Sequence, residues 1–76
     1  MTKSTRPLTA IIKREDDGYM ALCPELDIAS QGETVEEARR NLAEAVELFF
    51  ETSSSSEIAT RLRTEVYITQ LQVAVG

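Results

Sequence analysis

Hydrophobic and polar positions divide the chain into short strand-like stretches and one long helix-like stretch. The segments Leu8–Arg14 and Tyr19–Cys23 are largely apolar, and the acidic, glycine-containing residues 16–18 separate them. Because Asp-Gly supplies the positive φ angles of tight turns, this pattern predicts a β-hairpin. Pro24 lacks the backbone donor of a central strand and ends the second strand, and Ile28–Gly32 predicts a weaker third strand.

The segment Thr34–Phe50 carries the clearest helix signal. Thr34 is a good N-cap, and Glu37 stands three residues later, where it completes a capping box. Apolar residues follow at spacings of three and four, which predicts one apolar stripe that packs on a sheet. They are Val35, Ala38, Leu42, Ala45, Val46 and Phe49. After a serine-rich break at 52–56, a short second helix is predicted over Glu57–Arg63.

The last segment, Glu65–Val75, has the β-branched and aromatic content of a long strand. Its apolar side chains change face near residues 69–70. Such a change predicts either a bulge or a strand whose two ends are covered from opposite sides. The predicted fold is therefore a single α+β domain of order β-β-β-α-β, with a three-stranded antiparallel sheet, a helix and a long C-terminal strand.

One long helix covers only one face of such a sheet. The strands also carry apolar residues on the other face, so a second copy, a different protein or the segment around Ile58 and Leu62 must cover it. We therefore expect a homo-oligomer, a dimer or a tetramer. A chain of 76 residues, with its modest core, also gains stability from association.

The composition excludes several chemistries. The chain has no His and a single Cys, Cys23, so it has neither an internal disulfide nor the ligands of a zinc cluster. Without an imidazole base, Cys23 is predicted to be a buried packing residue rather than a nucleophile. No cofactor or metal is expected. The chain has no apolar run long enough for a membrane span and no apolar secretory signal, which favours a cytoplasmic protein.

Charge is distributed unevenly. The net charge is −5; residues 1–14 contain four basic residues and no acid, whereas residues 15–37 contain eight acids and no Lys or Arg. This distribution favours a basic protein partner and argues against direct DNA binding. The candidate interface residues are loop acids and two tyrosines, which are amphipathic and frequent in interfaces. They are Asp16, Asp17, Tyr19, Glu25, Asp27 and Tyr67.

A metal-dependent nuclease is the enzymatic alternative. It would use Asp16, Asp17, Glu25 and Asp27, whose carboxylates would have to converge within a few ångströms. The predicted strands carry no acid at a central position, where such sites usually hold one, so a non-enzymatic protein is favoured. A stand-alone oligomeric regulator, related to transcription, is the third interpretation.

The segments 18–26, 29–38 and 41–49 read GYMALCPEL, ASQGETVEEA and NLAEAVELF. In this order and spacing they resemble the HicB-like antitoxin family over about two thirds of the chain. The motif residues are expected to have turn, cap and packing roles. They are Gly18, Tyr19, Pro24, Glu25, Gly32, Thr34, Glu37 and Ala38.

The resemblance implies a degraded ribonuclease H-like core and an antitoxin that occludes a small basic HicA-like ribonuclease, which cleaves mRNA. Longer members of that family often append a helix-turn-helix or ribbon-helix-helix segment for operator binding. Nothing after Val75 matches such a segment, so this sequence is similar to the N-terminal domain alone and no separate DNA-binding domain is expected.

Overall fold

The computed structural model describes residues 6–76 and has three strands followed by two helices. The elements are β1 (Ile11–Glu15), β2 (Gly18–Cys23), β3 (Ile28–Gly32), α1 (Val35–Thr52) and α2 (Ser55–Arg63). β2 is central and pairs antiparallel with both neighbours. This confirms the predicted α+β class, the antiparallel sheet and both helices. Lys3, one of the basic residues near the N-terminus, lies outside the described residues.

The β1–β2 turn differs in detail from the prediction. Glu15 pairs with Gly18, so Asp16 and Asp17 alone form the turn, and Asp16, not Gly18, has a positive φ of 51°. Asp tolerates the left-handed region better than most residues. Gly18 is required for another reason: a Cβ there would lie 2.7 Å from the backbone oxygen of Gly32 on β3.

The first strand begins at Ile11, three residues later than the predicted start at Leu8. Residues 6–10 have no regular secondary structure. The backbone N–H of Thr9 is directed to the side chain of Glu25 instead of to a neighbouring strand. This long-range contact removes Thr9 from the strand that its local sequence favours.

Helix α1 begins where its cap predicts. The Thr34 hydroxyl accepts the backbone N–H of Glu37 at 3.0 Å, and the Glu37 carboxylate accepts the backbone N–H of Glu33 at 2.7 Å. The reciprocal bond thus goes to the residue before the cap, a small change from the predicted capping box. Both bonds satisfy backbone donors near the helix start, which lack partners in the helix.

The core lies between α1 and the face of the sheet that carries Ala21 and Cys23. Five side chains are buried in it: Ala21, Cys23, Leu26, Ala38 and Leu42. Cys23 is 1% exposed, as predicted for a packing residue. Leu62 from α2 and half-buried apolar residues of the first strand and of α1 pack around this cluster.

The opposite face of the sheet, here called the outer face, is covered by neither α1 nor α2. Cross-strand pairing aligns Ile11 with Leu22 and Leu22 with Ala29, while Met20 lies between Lys13 and Gln31. Ile11 is 41% exposed and Ala29 is exposed, whereas Met20 and Leu22 are half-buried. Helix α2 packs instead on the core side, through Leu62. The alternative in which the Ile58–Leu62 segment folds back over the outer face is therefore wrong.

The predicted C-terminal strand is absent. Residues 65–75, here called the C-terminal arm, form no ladder with any strand of the described chain, and all are exposed. Strand content in the sequence is therefore not sufficient, because a strand forms only against an edge that pairs with it. Between residues 6 and 76, neither helix is long and apolar enough to cross a membrane.

Candidate functional site

The acidic tract of the sequence is divided between the two ends of the sheet. Asp16 and Asp17 lie in the β1–β2 turn, whereas Glu25 and Asp27 lie in the turn that joins β2 to β3. The six residues of β2 separate these turns, a distance of roughly 17–20 Å at the usual rise per strand residue. The predicted interface residues therefore do not form one continuous surface.

Five carboxylates border an open cavity of about 790 Å³ at the β1–β2 turn. We call them the acidic rim: Glu15, Asp16, Asp17, Glu33 and Glu37. Among the described residues that line this cavity, none is Lys or Arg. The approach of β3 to the turn, which the small Gly18 and Gly32 permit, brings the start of α1 beside the hairpin. Acids that are 22 positions apart in sequence thus share one surface.

Tyr19 lines the same cavity as the acidic rim and is half-buried. Its hydroxyl accepts a hydrogen bond from an Arg14 guanidinium nitrogen at 3.0 Å, and the guanidinium carbon lies 5.3 Å from the ring centroid. Arg14 therefore holds the ring by both a hydrogen bond and a cation–π contact. Arg14 pairs directly with Tyr19 in the β1–β2 ladder. Of the basic residues in this ladder, it lies nearest to the acidic rim.

The other end of the sheet contains a polar cluster around Glu25. Its carboxylate accepts the backbone N–H of Thr9 at 3.1 Å, the Thr9 hydroxyl at 2.6 Å and the Cys23 thiol at 3.5 Å. Burial acts to raise the pKa of Glu25, but these hydrogen bonds, with its own backbone N–H, lower that pKa overall. Burial raises the pKa of the Cys23 thiol, and the neighbouring Glu25 raises it further. The raised pKa keeps the Cys23 thiol protonated at neutral pH, and a protonated thiol is a poor nucleophile.

The β2–β3 turn is fixed by residues that the sequence patterns did not single out. Leu26 is fully buried although it lies in a turn, and its carbonyl accepts a hydrogen bond from Arg61 of α2. The same guanidinium lies 5.1 Å from the ring centroid of Phe49. In the sequence, Leu26 is the only apolar residue between Pro24 and Asp27. An apolar residue alone in a polar turn is the signal that could have identified it as the side chain that fixes this turn to the core. Arg61 has no comparable local signal.

The remaining two candidate residues lie apart from the acidic rim. Asp27 is exposed and has a positive φ of 56°, which fits a turn position. Tyr67 is 81% exposed in the C-terminal arm, and its hydroxyl donates to the Glu65 carboxylate at 2.8 Å. Within residues 6–76, the structure thus brings Asp16, Asp17 and Tyr19 together, and leaves Glu25, Asp27 and Tyr67 elsewhere.

The geometry does not assemble the acids of the alternative nuclease site. Asp16 and Asp17 are separated from Glu25 and Asp27 by the length of β2, so the four carboxylates do not converge. In the part of the chain that the structure describes, no group of three or more potential ligand side chains is arranged to hold a metal ion.

Comparison with known proteins places the chain among bacterial relatives. It is 34% identical over 68 residues to a UPF0150 protein of Helicobacter pylori strain J99, an alignment that covers 88% of this chain and 94% of that relative. Two UPF0150 proteins of a Synechocystis strain are 50% and 48% identical over 46 residues, which is 58% of this chain in each case. Those alignments cover 64% and 58% of the two relatives.

No family model matches the chain, and no solved structure matches it at a significant level. The names of these relatives state no activity, ligand or partner. The Helicobacter alignment, which spans nearly the full length of both chains, defines the family. The chain belongs to the UPF0150 family.

Proposed function

We propose that this chain is a cytosolic, non-catalytic antitoxin of the HicB-like type, which binds a small basic HicA-like ribonuclease and occludes its RNA-binding surface. The first support is the resemblance of segments 18–26, 29–38 and 41–49 to that family. On this view the sheet and α1 are a degraded ribonuclease H-like core that has kept its shape as a binding scaffold.

The observation that carries the proposal in the structure is the acidic rim. Its carboxylates come from the hairpin turn, which lies close to the backbone of β3 at Gly32, and from the start of α1, which side-chain-to-backbone hydrogen bonds cap. A cluster of one charge sign beside a cavity attracts a partner of the opposite sign and raises the rate of association. A basic ribonuclease has such a surface, because it must neutralise the phosphates of RNA.

Tyr19 adds an apolar contact at the same place. Arg14 holds its ring, so little side-chain entropy is lost when a partner packs on it. In the complex, basic residues of the partner would surround Tyr19 and face the acidic rim. In such an interface the charges orient the partner and the buried aromatic ring adds affinity.

The test is neutralisation of a defined toxin. The product of the reading frame adjacent to the gene for this chain is expressed under tight control, alone and together with the chain, and growth and mRNA decay are followed. We expect a small basic protein that arrests growth by cleaving mRNA, and full rescue by the chain. With purified components, RNA cleavage by the toxin should stop when the chain is added in an amount stoichiometric with the toxin.

Two results would contradict the proposal. One is an adjacent product that is acidic or does not cleave RNA; the other is cleavage that an excess of the chain leaves unchanged. RNA cleavage by the chain itself, with added magnesium or manganese, would replace the proposal with the nuclease alternative.

A further inference from the structure

The C-terminal arm has the composition of a β-strand but pairs with no strand of the described chain. It carries β-branched and aromatic residues along its length, and three of its apolar side chains are exposed by 84% (Leu71), 70% (Val73) and 90% (Val75). Within the described residues, its one side-chain hydrogen bond joins Tyr67 to Glu65, both in the arm itself. Exposed apolar side chains at this density on an unpaired backbone are typical of a segment that binds another surface.

The shape of the chain shows how far the arm extends from the body. The Cα radius of gyration is 14.8 Å, whereas a compact chain of this length has about 11 Å, and the longest dimension is 54 Å against 28 and 21 Å. Arg61 anchors the preceding helix α2 to the Leu26 carbonyl and to Phe49. The start of the arm is therefore fixed on the body, while the rest is free to reach a second molecule.

In the described part of the chain, the β1 edge is the more open of the two edges of the sheet. At the β3 edge, the Gln31 carbonyl already accepts a hydrogen bond from the Asn41 side chain of α1 at 2.8 Å. β1 is different, since four of its five residues are exposed. Asp16 and Asp17 form a two-residue turn, so the backbone N–H and C=O groups of Glu15, Lys13 and Ile11 are directed to β2. The backbone groups of Ile12 and Arg14 therefore point outward, away from β2.

Apolar surface flanks the β1 edge on both faces of the sheet. On the outer face lies the exposed Ile11. On the other face, an apolar groove of about 260 Å³ runs between residues 8–10 and α1, with Leu8, Leu42 and Val46 among its lining residues. A strand added beside β1 would therefore need apolar side chains on both of its faces. The arm has this pattern, with Val66 and Ile68 on one face and Leu71, Val73 and Val75 on the other.

We propose that the C-terminal arm of one copy adds as a strand to the β1 edge of a second copy. Each chain carries both the donor arm and the acceptor edge, so reciprocal exchange closes a symmetric dimer, the smallest such assembly. The 11 residues of the arm span about 36 Å when extended, ample to cover the five residues of β1.

The test begins with the mass of the full chain, measured by light scattering at tens of micromolar. A mass of at least twice 8.5 kDa is expected. Arg14→Pro removes one of the two outward N–H groups of the β1 edge and should weaken association by at least about tenfold, because Pro at an outward edge position disrupts pairing but spares the hairpin. Arg14→Ala is the control, since it loses the same side chain and keeps the N–H.

The arm is tested separately with substitutions that touch nothing in the body. Leu71→Asp with Val73→Asp places two charges on an apolar face of the arm and should produce monomers. Gln70→Asp with Gln72→Asp adds the same charge on positions that are already polar and should leave the assembly intact. Far-UV circular dichroism confirms that each variant retains the folded body.

A mixing experiment shows whether the contact runs between chains. The Arg14→Pro chain can donate its arm but accepts none, and the Leu71→Asp/Val73→Asp chain accepts an arm but donates none. Each alone should dissociate at a concentration at which the natural chain is still dimeric, and native mass spectrometry of the mixture at that concentration should show a 1:1 heterodimer. A monomeric full chain, an Arg14→Pro variant that assembles as well as Arg14→Ala, equal behaviour of the two arm variants, or a mixture without heterodimer would each overturn the proposal.

Discussion

The carboxylate of Glu25 holds Thr9 by two different groups, the backbone N–H at 3.1 Å and the hydroxyl at 2.6 Å. This contact connects the segment before β1 to the β2–β3 turn, across 16 positions in sequence. It ties the N-terminal segment down at the end of the sheet where Leu26 enters the core. Glu25 therefore acts as a structural clamp at the end of the sheet opposite the acidic rim.

Removing this clamp should destabilise the fold. We expect Glu25→Ala to lower the free energy of unfolding by about 1–2 kcal/mol, because a charged acceptor of several hydrogen bonds is lost from a half-buried place. Glu25→Gln keeps an acceptor oxygen and should lose less. Urea denaturation of the two variants at neutral pH measures the difference. Equal stability of Glu25→Ala and the natural chain would contradict the clamp.

The same clamp predicts a dependence on pH. Because the pKa of Glu25 is lowered in the folded chain, its contribution to stability is present above the unfolded pKa and is lost as the pH falls through the folded pKa. The natural chain should therefore lose stability below about pH 4.3, the ordinary Glu value. Glu25→Gln should lose less over the same range. Parallel loss of stability in both proteins would show that Glu25 does not contribute.

Gly32 is predicted to accept no side chain. A Cβ there would lie 2.6 Å from the backbone nitrogen of Ala38 and 2.9 Å from the Glu37 Cβ, so β3 and the start of α1 would have to separate. We expect Gly32→Ala to cost about 2–3 kcal/mol of unfolding free energy. Gly76→Ala, where nothing lies within 4 Å, is the control and should be neutral. Thermal unfolding of both variants provides the measurement.

The cap of α1 should contribute measurably to stability. Thr34→Ala removes the acceptor for the Glu37 backbone N–H and should cost about 1 kcal/mol. Thr60→Ala is the matched control, because the Thr60 hydroxyl donates to the Ser56 carbonyl within its own helix and is exposed. Its effect should stay within about 0.5 kcal/mol. If both substitutions cost the same in urea denaturation, the cap adds nothing.

The buried thiol gives a probe of the whole core. Cys23 is 1% exposed, and burial raises its pKa, so a thiol reagent should label the folded chain at least roughly 100-fold more slowly than the urea-unfolded chain. Labelling at equal rates in both states would mean that the core around Cys23 opens freely. A Gly76→Cys substitution adds an exposed thiol that should react at the same rate in both states.

Local signals in the sequence predicted the hairpin and both helices. Thr34 and Ser54 each accept the backbone N–H three residues later, as their positions indicate, and the apolar stripe of α1 faces the core through Ala38 and Leu42. These features depend on neighbours within a few residues. They are therefore readable from one sequence.

The sequence predictions fail where the structure of a segment depends on residues far away in the chain. The strand predicted for the C-terminal arm has no paired edge in the described chain, and strand propensity alone does not supply one. The predicted start of β1 at Leu8 is wrong because Thr9 bonds to Glu25 instead of to a neighbouring strand. Likewise β2 places Asp16 and Glu25 at opposite ends of the sheet, a separation that their closeness in the sequence does not indicate.

The role of the acidic rim can be measured directly through its charges. Asp16→Asn with Asp17→Asn removes two charges, and Asn still tolerates the positive φ at position 16. Glu44→Gln with Glu51→Gln removes the same charge from exposed positions of α1 and serves as the control. The affinity of each variant for the basic product of the adjacent reading frame is measured by calorimetry at low and moderate salt. We predict at least about a tenfold loss for the rim variant at low salt and less than about twofold for the control. Equal affinities of the two variants would contradict the claim that the acidic rim binds the basic partner.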